Sequence, residues 1–472
     1  MHRTAQLAFL VGAVSLLVAL NARADDYKGA SKAEQQSDKE RILQLEETNA
    51  RQQREMDEIR DELHKIRLDN DDQWLTEQRA DEIRGLVSDV LADADTRSNL
   101  MQNGLTAGWS EHFFLSSTDG RFKLQVSGQQ QFRYVWNYHE APDKYKAGFE
   151  NTRTKLTLRG HMFSQDLNYL VRGRFGRSGG GLVLEDAWLR YHINSDWNVR
   201  FGQFKLPFNR EELVSSERQL AVERSIVNES MNIGRSQGVE LNYADDVFRA
   251  SFAFSDAGED NLGGFNLIGN TSTNSPALTE DTEFAITSRL EFLLAGSWSQ
   301  FNDFTSRTDE EFGMLFGIGG HIQRDESNGA LSIRRNEERW VAWTADLSVE
   351  WGGANAFVSF SHHYLDDPSI GQANIYGVVG QAGAYFSPKF EMFTRFEYGA
   401  FETTAAQFSE LYVITFGGNY YIDGHDIKLT ADIGFGISQV ENAWDSDLAG
   451  WRTDPEGAEP QVVIRGQFQL LF

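Results

Sequence analysis

The sequence has no cysteine and only 7 prolines among its 472 residues. Without cysteine the chain can form no disulfide framework and no thiolate site, which excludes disulfide-held small domains and cysteine-dependent enzymes. Long apolar runs are also missing beyond residue 20, and a mean hydropathy of -0.47 is too polar for a bundle of membrane-spanning helices. Glycine, with 42 residues, and aromatic residues, at 12%, are abundant instead.

The one long apolar segment is LAFLVGAVSLLVAL, at residues 7–20. Arg3 precedes it, and Ala22 and Ala24 follow it as an A-x-A cleavage pattern, which predicts a secretory signal peptide over residues 1–24. An uncleaved membrane anchor is the alternative, but the run is shorter than the roughly 20 residues that a span requires. The mature chain is therefore expected outside the cytoplasm.

Residues 25–108 form a second zone, in which apolar residues recur with a heptad period between Lys39 and about Ile66. This pattern predicts an α-helical coiled coil, with a lone solvated helix as the alternative. The predicted core positions are Ile42, Leu45, Asn49, Gln52, Met56, Ile59, Leu63 and Ile66. The polar residues among them lower the stability of a coiled coil but set its register and the number of helices in it. With 21 acidic and 12 basic side chains, this zone is not a nucleic-acid-binding surface.

From Trp109 onward the apolar residues recur at every second position, which is the period of an extended strand. About sixteen such segments begin near residues 121, 151, 167, 182, 197, 235, 247, 282, 311, 339, 354, 375, 389, 410, 425 and 461. Short links, with GSWSQFNDF counted among them, alternate with long links at 138–149, 207–234, 257–281, 322–338 and 437–460. This alternation predicts an antiparallel up-and-down meander over residues 109–472.

A soluble double-layer sheet could carry the same alternation, but the aromatic residues argue against it. Trp197, Trp351 and Tyr420 are among the aromatic residues near predicted strand ends, where membrane interfaces lie. Backbone that meets lipid must be fully paired, and a closed barrel is the sheet that has no edge. The predicted fold is therefore an all-β transmembrane barrel of about 16 antiparallel strands, preceded by an α-helical coiled coil.

The chain ends with QVVIRGQFQLLF, an alternating strand that stops on Phe472. In a barrel the last strand pairs with the first and meets lipid at every second residue, which explains an apolar terminus. A C-terminal aromatic residue with apolar residues two apart behind it is also similar to the signal that outer-membrane assembly machinery recognises. Phe472 is therefore predicted to act as an assembly signal.

Several motifs together resemble the phosphate-selective porin O and P family. They are DGRFKLQVSG, LEDAWLRY, VRFGQFKLPFNREELVSS and GRSQGVELNY, followed by the terminal Phe472. The resemblance covers roughly residues 109–472, and it implies a homotrimer of 16-stranded barrels in the outer membrane of a diderm bacterium, with the N-terminal coil in the periplasm. It also implies that the third outer loop, residues 207–234 here, folds into the lumen.

Charge divides the predicted barrel into two walls. Residues 121–207 hold 14 Lys and Arg against 7 Asp and Glu, whereas residues 208–472 hold 16 against 40. Strand parity turns one set of cations toward the lumen as a predicted anion pathway: Lys123, Arg133, Arg153, Lys155, Arg159, Arg172, Arg174, Arg190 and Arg200. It turns an opposing acidic wall inward from the later strands: Asp346, Glu350, Glu391, Glu397 and Asp432.

The predicted constriction loop carries Arg210, Arg218 and Arg224 beside five glutamates, so it is net negative. The family resemblance implies phosphate selectivity through arginines and ladders of lysine, but this barrel has only seven lysines. Arginine forks suit oxyanions, and the expected function is a water-filled channel for small hydrophilic solutes that prefers anions such as phosphate or a similar oxyanion. Lumen arginines that only pair with acids across the pore are the alternative explanation.

Two other functions stay open at this point: a general diffusion porin, and a structural tether that links the outer membrane to the cell wall through the coil. The ten histidines are scattered and form no cluster of Ser, His and Asp, so an enzyme is not expected. No cofactor, metal site or nucleic-acid partner is expected either.

Overall fold

The computed structural model describes residues 105–139, 144–258, 274–275, 282–327, 336–367, 371–404, 409–454 and 460–472. The predicted signal peptide and every predicted coiled-coil core position lie outside these residues. Within them, no helix is long and apolar enough to cross a membrane.

Strands make up most of the described chain. Two short strands come first: β1 (Leu105–Ser110) and β2 (His112–Ser117). The longer series is β3 (Lys123–Tyr138), β4 (Tyr145–His161), β5 (Leu167–Phe175), β6 (Leu182–His192), β7 (Trp197–Lys205), β8 (Arg235–Ala244), β9 (Phe248–Ser255), β10 (Thr282–Ala295), β11 (Gly313–Ser327), β12 (Asn336–Trp351), β13 (Ala354–Asp367), β14 (Gly371–Ser387), β15 (Phe390–Thr403), β16 (Ser409–Asp423), β17 (Ile427–Gly436) and β18 (Gln461–Leu471).

Among the described residues the helices are few and short. They are α1 (Arg210–Leu213) and α2 (Ile226–Met231), with 3-10 turns at Ser216–Arg218, Gln300–Asn302 and Asn442–Trp444.

Strands β3 to β18 form a closed antiparallel barrel of sixteen strands. Each strand pairs with its neighbour in sequence, and β18 pairs back onto β3 with Val462 opposite Tyr138 and Leu471 opposite Gln129. The predicted sixteen-stranded meander is therefore confirmed. Fifteen strands begin within four residues of the predicted positions, and β4 begins at Tyr145, six residues before the predicted position 151. β2, which pairs with β3 at Phe113–Ser116, was not predicted.

The two faces of the barrel wall have opposite chemistry. Large apolar side chains are exposed on the outside of every part of the wall, for example Leu156, Phe201 and Phe396. The inward positions hold polar and charged side chains. A closed sheet has no edge, so all of its backbone hydrogen-bonding groups can be paired. An apolar exterior and a polar interior are the pattern of a barrel that is surrounded by lipid.

The strands differ in length around the barrel. Strands β5 to β9 have 8 to 11 residues, close to the roughly 9–11 that a tilted strand needs to cross a bilayer. Strands β10 to β16 have 14 to 17 residues.

For the charges that their inner faces were predicted to carry, we call β3–β9 the basic side of the barrel and β10–β18 the acidic side.

The long connections lie at one end of the barrel, the outer rim, and mostly short turns lie at the other, the inner rim. The link between Ala295 and Gly313, which was predicted to be short, is an exception at the inner rim. It places Phe301 and Phe304, 4% and 3% exposed, inside the barrel. The grouping of GSWSQFNDF with the tight turns was therefore wrong, because its aromatic residues fill space in the lumen.

The C-terminus closes the barrel seam. The Phe472 amide donates to the Gly128 carbonyl at 3.1 Å, and the Gly128 amide donates to the Phe472 carbonyl at 2.7 Å. A Cβ atom at Gly128 would lie 2.3 Å from Cζ of the Phe472 ring. The ring therefore occupies the space that a side chain at Gly128 would need.

Candidate solute pathway

The connection between β7 and β8, residues 206–234, folds into the lumen; we call it the inserted loop. It touches the basic side through Ser216, whose carbonyl accepts from Gln131 at 3.2 Å. It touches the acidic side through Leu220 and Gln219, whose carbonyls accept from Asn419 at 2.9 Å and Lys428 at 3.0 Å. The loop therefore crosses the interior and is fixed at both walls.

Glycine on the acidic side makes room for this loop. A Cβ atom at Gly377 would lie 2.4 Å from Cγ1 of Val227 and 2.6 Å from Sδ of Met231, both in α2. Ile226 and Leu220, which are 0% and 2% exposed, complete this packing. The apolar face of the loop is thus turned toward the acidic side of the barrel.

The predicted anion-pathway cations lie on the inner face, and five of them form ion pairs. Arg133 and Arg153 both bind Glu223 of the inserted loop. The other three pair with acids on other strands: Lys155 with Glu185 at 2.8 Å, Arg172 with Asp186 at 3.2 Å, and Arg200 with Glu240 at 2.6 Å.

The remaining four cations of this set have no ion pair among the described residues. The Lys123 ammonium lies 5.6 Å from the Phe114 ring centroid, and the Arg190 guanidinium lies 4.9 Å from that of Trp188. Arg159 and Arg174 have no ion-pair partner in the described chain either, and both are half-buried. Free positive charge is therefore present on the basic side.

The predicted acidic wall is buried: its five members are at most 4% exposed. Arg289 donates to both oxygens of Asp346, at 2.8 and 2.9 Å. Arg395 donates to Glu397 at 2.9 Å, and Arg465 donates to Asp432 at 2.7 Å.

The inserted loop itself binds two of these carboxylates through its backbone. The Val222 amide donates to Asp432 at 3.0 Å, and the Ile226 amide donates to Glu397 at 2.6 Å. The acidic wall thus does not face the basic wall across open water, because the loop lies over it and uses its carboxylates as anchors.

The last two acidic residues are held differently. Glu391 accepts from Tyr421 at 2.6 Å and from Thr305, in the inner-rim link, at 2.8 Å. Glu350 is 2% exposed, and its Oε2 atom has no hydrogen-bond partner within the described chain.

The three arginines of the inserted loop lie in different surroundings. Arg210 donates to the carbonyls of Phe301 and Asp303, at 2.8 and 3.1 Å, and so joins the loop to the inner-rim link. Arg224 donates to three loop carbonyls and pairs with Glu212 at 3.2 Å. Arg218 is the exposed one, with 44% of its side chain accessible and Asp303 at 3.6 Å.

The pKa values of two buried glutamates in the inserted loop are shifted in opposite directions. Burial alone would raise the pKa of Glu212, but the positive charges of Arg224 and Lys205 outweigh it and lower the pKa to about 2. For Glu229 burial dominates and raises the pKa to about 7. Glu229 is therefore the loop carboxyl that titrates near neutral pH.

A second outer connection also enters the lumen. Trp444 and Trp451, in residues 437–460, are 0% and 1% exposed. The Leu448 carbonyl accepts from Arg133 at 2.5 Å, and the Ala449 carbonyl accepts from Arg465 at 2.8 Å. Sequence reasoning missed this element, although two tryptophans in an outer connection were a signal that it packs inward.

Residues 125–284 match the model of the family described as "Phosphate-selective porin O and P". An uncharacterized protein of Aquifex aeolicus (strain VF5) is 25% identical over 269 residues, which is 54% of this chain and 62% of that protein. This chain therefore spans less than two thirds of that relative's length.

Two solved structures are similar to this chain at low sequence identity. An anion-selective porin from Comamonas acidovorans is 12% identical, with a TM-score of 0.52 over 74% of this chain and 99% of that porin. The outer membrane channel DcaP of Acinetobacter baumannii is 14% identical, with a TM-score of 0.49 over 75% of this chain and 99% of that channel. The family match over residues 125–284 confirms the resemblance carried by the motifs and indicates a porin-type outer-membrane channel and not an enzyme. The porin from Comamonas acidovorans supports the barrel fold.

Proposed function

We propose that this chain, whose residues 125–284 match the phosphate-selective porin O and P family, is an outer-membrane porin that conducts small hydrophilic solutes and prefers anions. The observation that carries the proposal is the unequal exposure of the two walls. All five acids of the acidic wall are buried. Six of the nine basic residues, namely Lys123, Arg159, Arg172, Arg174, Arg190 and Arg200, remain partly exposed.

The exposed charges determine the sign of the electrostatic potential in the pore, because a permeating solute lies closest to the side chains that border the water-filled path. Asp346, Glu397 and Asp432 contribute a small net field, since each has an arginine within hydrogen-bond distance. Half-buried arginines beside a narrow path are screened less than surface charges. The local positive charge therefore outweighs the net charge of -26 carried by the whole chain.

The solute class is oxyanions and carboxylates in general, with phosphate as one member. Two lysines of the inner face are neutralised, because Lys155 pairs with Glu185 and Lys205 pairs with Glu212. The arginines provide planar forks that suit any carboxylate or tetrahedral oxyanion.

Reversal potentials of the purified protein in planar bilayers, under a salt gradient, test the proposal. Wild type should prefer chloride over potassium, and the triple variant Arg159→Gln, Arg174→Gln, Arg190→Gln should shift toward cations. Arg339→Gln removes a positive charge on the outward face and should leave the reversal potential unchanged. A cation-selective wild type would refute the anion preference.

A homotrimer is part of the proposal. Gln130 lies near the middle of β3 on the outward face and is exposed beside Phe132. Asn151, which lies opposite Phe132 on β4, is exposed as well. An amide in hydrocarbon is costly, whereas contact with another protein surface can satisfy it. Native mass measurements in detergent should show three copies, and Gln130→Glu should lower the trimer fraction.

The N-terminal zone completes the proposal: residues 1–24 are removed on export, and the heptads between Lys39 and about Ile66 form a periplasmic coiled coil. The predicted zone 25–108 is too long at its end, because β1 begins at Leu105. The tether function would rest on this coil and would coexist with conduction. A peptide of residues 39–68 should be helical and trimeric in sedimentation, and a monomer would exclude the coil.

A further inference from the structure

The Glu223 side chain, on the inserted loop, is bound by two guanidinium groups of the barrel wall. Arg133 Nη1 lies 2.6 Å from its Oε1 atom. Arg153 binds both oxygens in a fork, with Nη1 at 2.8 Å from Oε1 and Nη2 at 2.7 Å from Oε2. Glu223 is 1% exposed. Three charge-assisted hydrogen bonds to one carboxylate is the arrangement that receptors use for free carboxylates and oxyanions.

The two arginines are held by wall groups other than Glu223. Arg133 also donates through Nε to Glu150, and through Nη2 to the Leu448 carbonyl at 2.5 Å. Arg153 donates to the side-chain oxygen of Gln131 at 3.2 Å. Because these contacts do not involve the loop carboxylate, the two guanidinium groups keep their orientation when that carboxylate is absent.

The Glu223 backbone is fixed elsewhere, on the acidic side. Its carbonyl accepts from Arg395 Nη1 at 2.8 Å, and the neighbouring Val222 amide donates to Asp432 at 3.0 Å. Only the side chain reaches across to the basic side. It can therefore leave the arginines by rotating about its own bonds while the loop stays in place.

The pair of arginines borders the outer vestibule. Glu150, which binds Arg133, has 25% of its side chain exposed, and it is also bound by Arg177, which is 29% exposed, at 2.7 Å. A solute that enters from the outer rim meets this exposed pair next to Arg133.

The charge state of Glu223 fits a strongly held anion. Burial would raise the pKa of its carboxyl, but the charges of Arg153 and Arg133 lower it to about 2. The carboxylate is therefore ionised throughout the physiological range, and any competitor has to be an anion as well.

We propose that Arg133 and Arg153 form an oxyanion-binding site that the inserted loop occupies with the Glu223 carboxylate, and that a permeating carboxylate or oxyanion competes with Glu223 for the two guanidinium groups. This inference rests on the proposed anion-conducting function and adds a defined site to it. Glu223 acts as a tethered competitor, so it keeps the site from trapping a passing anion.

Block of single-channel current by inorganic phosphate tests the site. Glu223→Gln keeps the shape of the side chain but removes its charge, so the site becomes free for phosphate. The phosphate concentration for half-block should fall by about tenfold or more relative to wild type. Adding Arg153→Gln to this variant should remove the gain.

Glu229→Gln is the matched control, because it removes one carboxylate of the same loop that also acts on Arg153 through space but does not bind it. It should block like wild type. If Glu223→Gln and Glu229→Gln lowered the phosphate concentration for half-block equally, the change would follow from the lost negative charge alone, and the proposed site would be refuted. No gain in Glu223→Gln, or a gain that survives Arg153→Gln, would overturn it as well.

If Glu223→Gln does not form channels, Glu223→Asp keeps the charge but shortens its reach. It should give a smaller gain in phosphate block, and an unchanged half-block concentration would then refute the proposal. The channel function is judged separately by the wild-type reversal potential. An anion-selective wild type with no gain in any Glu223 variant refutes the site and leaves the function standing.

Discussion

The basic side and the acidic side of the barrel use their charges in opposite ways. On the acidic side, carboxylates such as Asp432 and Glu397 are buried and bind backbone amides of the inserted loop. On the basic side, Arg159 and Arg174 stay half-buried and have no ion-pair partner among the described residues. One set of charges holds the structure together, and the other borders the water.

This difference shows that strand parity and net charge do not determine what a solute meets. Parity places a residue on the inner face, but a loop that crosses the lumen decides whether that residue faces water. An inward acid under a loop stabilises the loop, whereas an inward arginine outside it acts on ions. Four predictions test the contrast, in order of decreasing effect.

The largest effect is expected from a change that prevents β18 from pairing with β3, since this pairing joins the acidic side to the basic side. Deletion of Phe472 removes both hydrogen bonds to Gly128 and the ring that packs there, so the amount of heat-modifiable barrel in the outer membrane should fall sharply. Phe390→Ala, which removes an exposed aromatic residue from β15, is the control and should assemble near normal levels. Normal assembly without Phe472 would contradict its role in closure.

Removing the inserted loop, which lies over the acidic wall, should change both the conductance and the ion selectivity of the channel. With residues 211–228 replaced by a short glycine–serine linker, Asp432 and Glu397 lose their amide partners and face water. Single-channel conductance should rise severalfold, and the reversal potential should move toward cation preference. Deletion of Gly179 and Gly180 from the exposed link between β5 and β6 should change neither. A wider channel with unchanged selectivity would mean that the loop does not mask these acids.

A pair of single substitutions compares the two sides by stability. Asp346→Ala leaves Arg289, which is 3% exposed, without its main partner and should cost about 3–5 kcal/mol. Arg174→Ala removes a side chain that pairs with no described acid and should stay within about 0.5 kcal/mol. Unfolding of the purified barrel in urea measures both. Similar costs for the two variants would contradict the division between structural and pathway charges.

The smallest effect is a pH dependence of the inserted loop. Because burial raises the pKa of Glu229 to about 7, the folded state binds more protons than the unfolded state between about pH 4.5 and 7. Stability should therefore decrease as pH rises through this window. Thermal unfolding of Glu229→Gln should show a flatter pH profile than wild type.

The sequence predicted the barrel well because its signal is local. Alternation along each segment, for example Leu156 and Leu158 against Lys155 and Thr157, follows from the strand period alone. The short strand β2 was missed, because six residues give too little alternation to stand out. The link that carries Phe301 and Phe304 was misjudged, because nothing in a link itself says whether its aromatic residues face lipid or lumen.

The site was predictable only in part. Parity identified the inward residues, but the partners of Arg133 and Arg153 come from a loop distant in sequence. That Glu223, and not another glutamate of the loop, binds them depends on how the backbone is anchored at Arg395 and Asp432. Such long-range pairings leave no periodic trace in a single sequence.

The closure at Gly128 also bears on the order in which the barrel folds. Every other barrel pairing joins neighbours in sequence, so it can form early as a hairpin, whereas β18 must find β3 across the whole barrel chain. The loss of chain entropy for that one pairing is the greatest in the sheet. Its last hydrogen bonds involve Phe472 and Gly128, so closure comes after the other pairings. Substitutions within the meander, whose pairings form early, should slow folding, while equal changes at the late-forming seam should mainly speed unfolding.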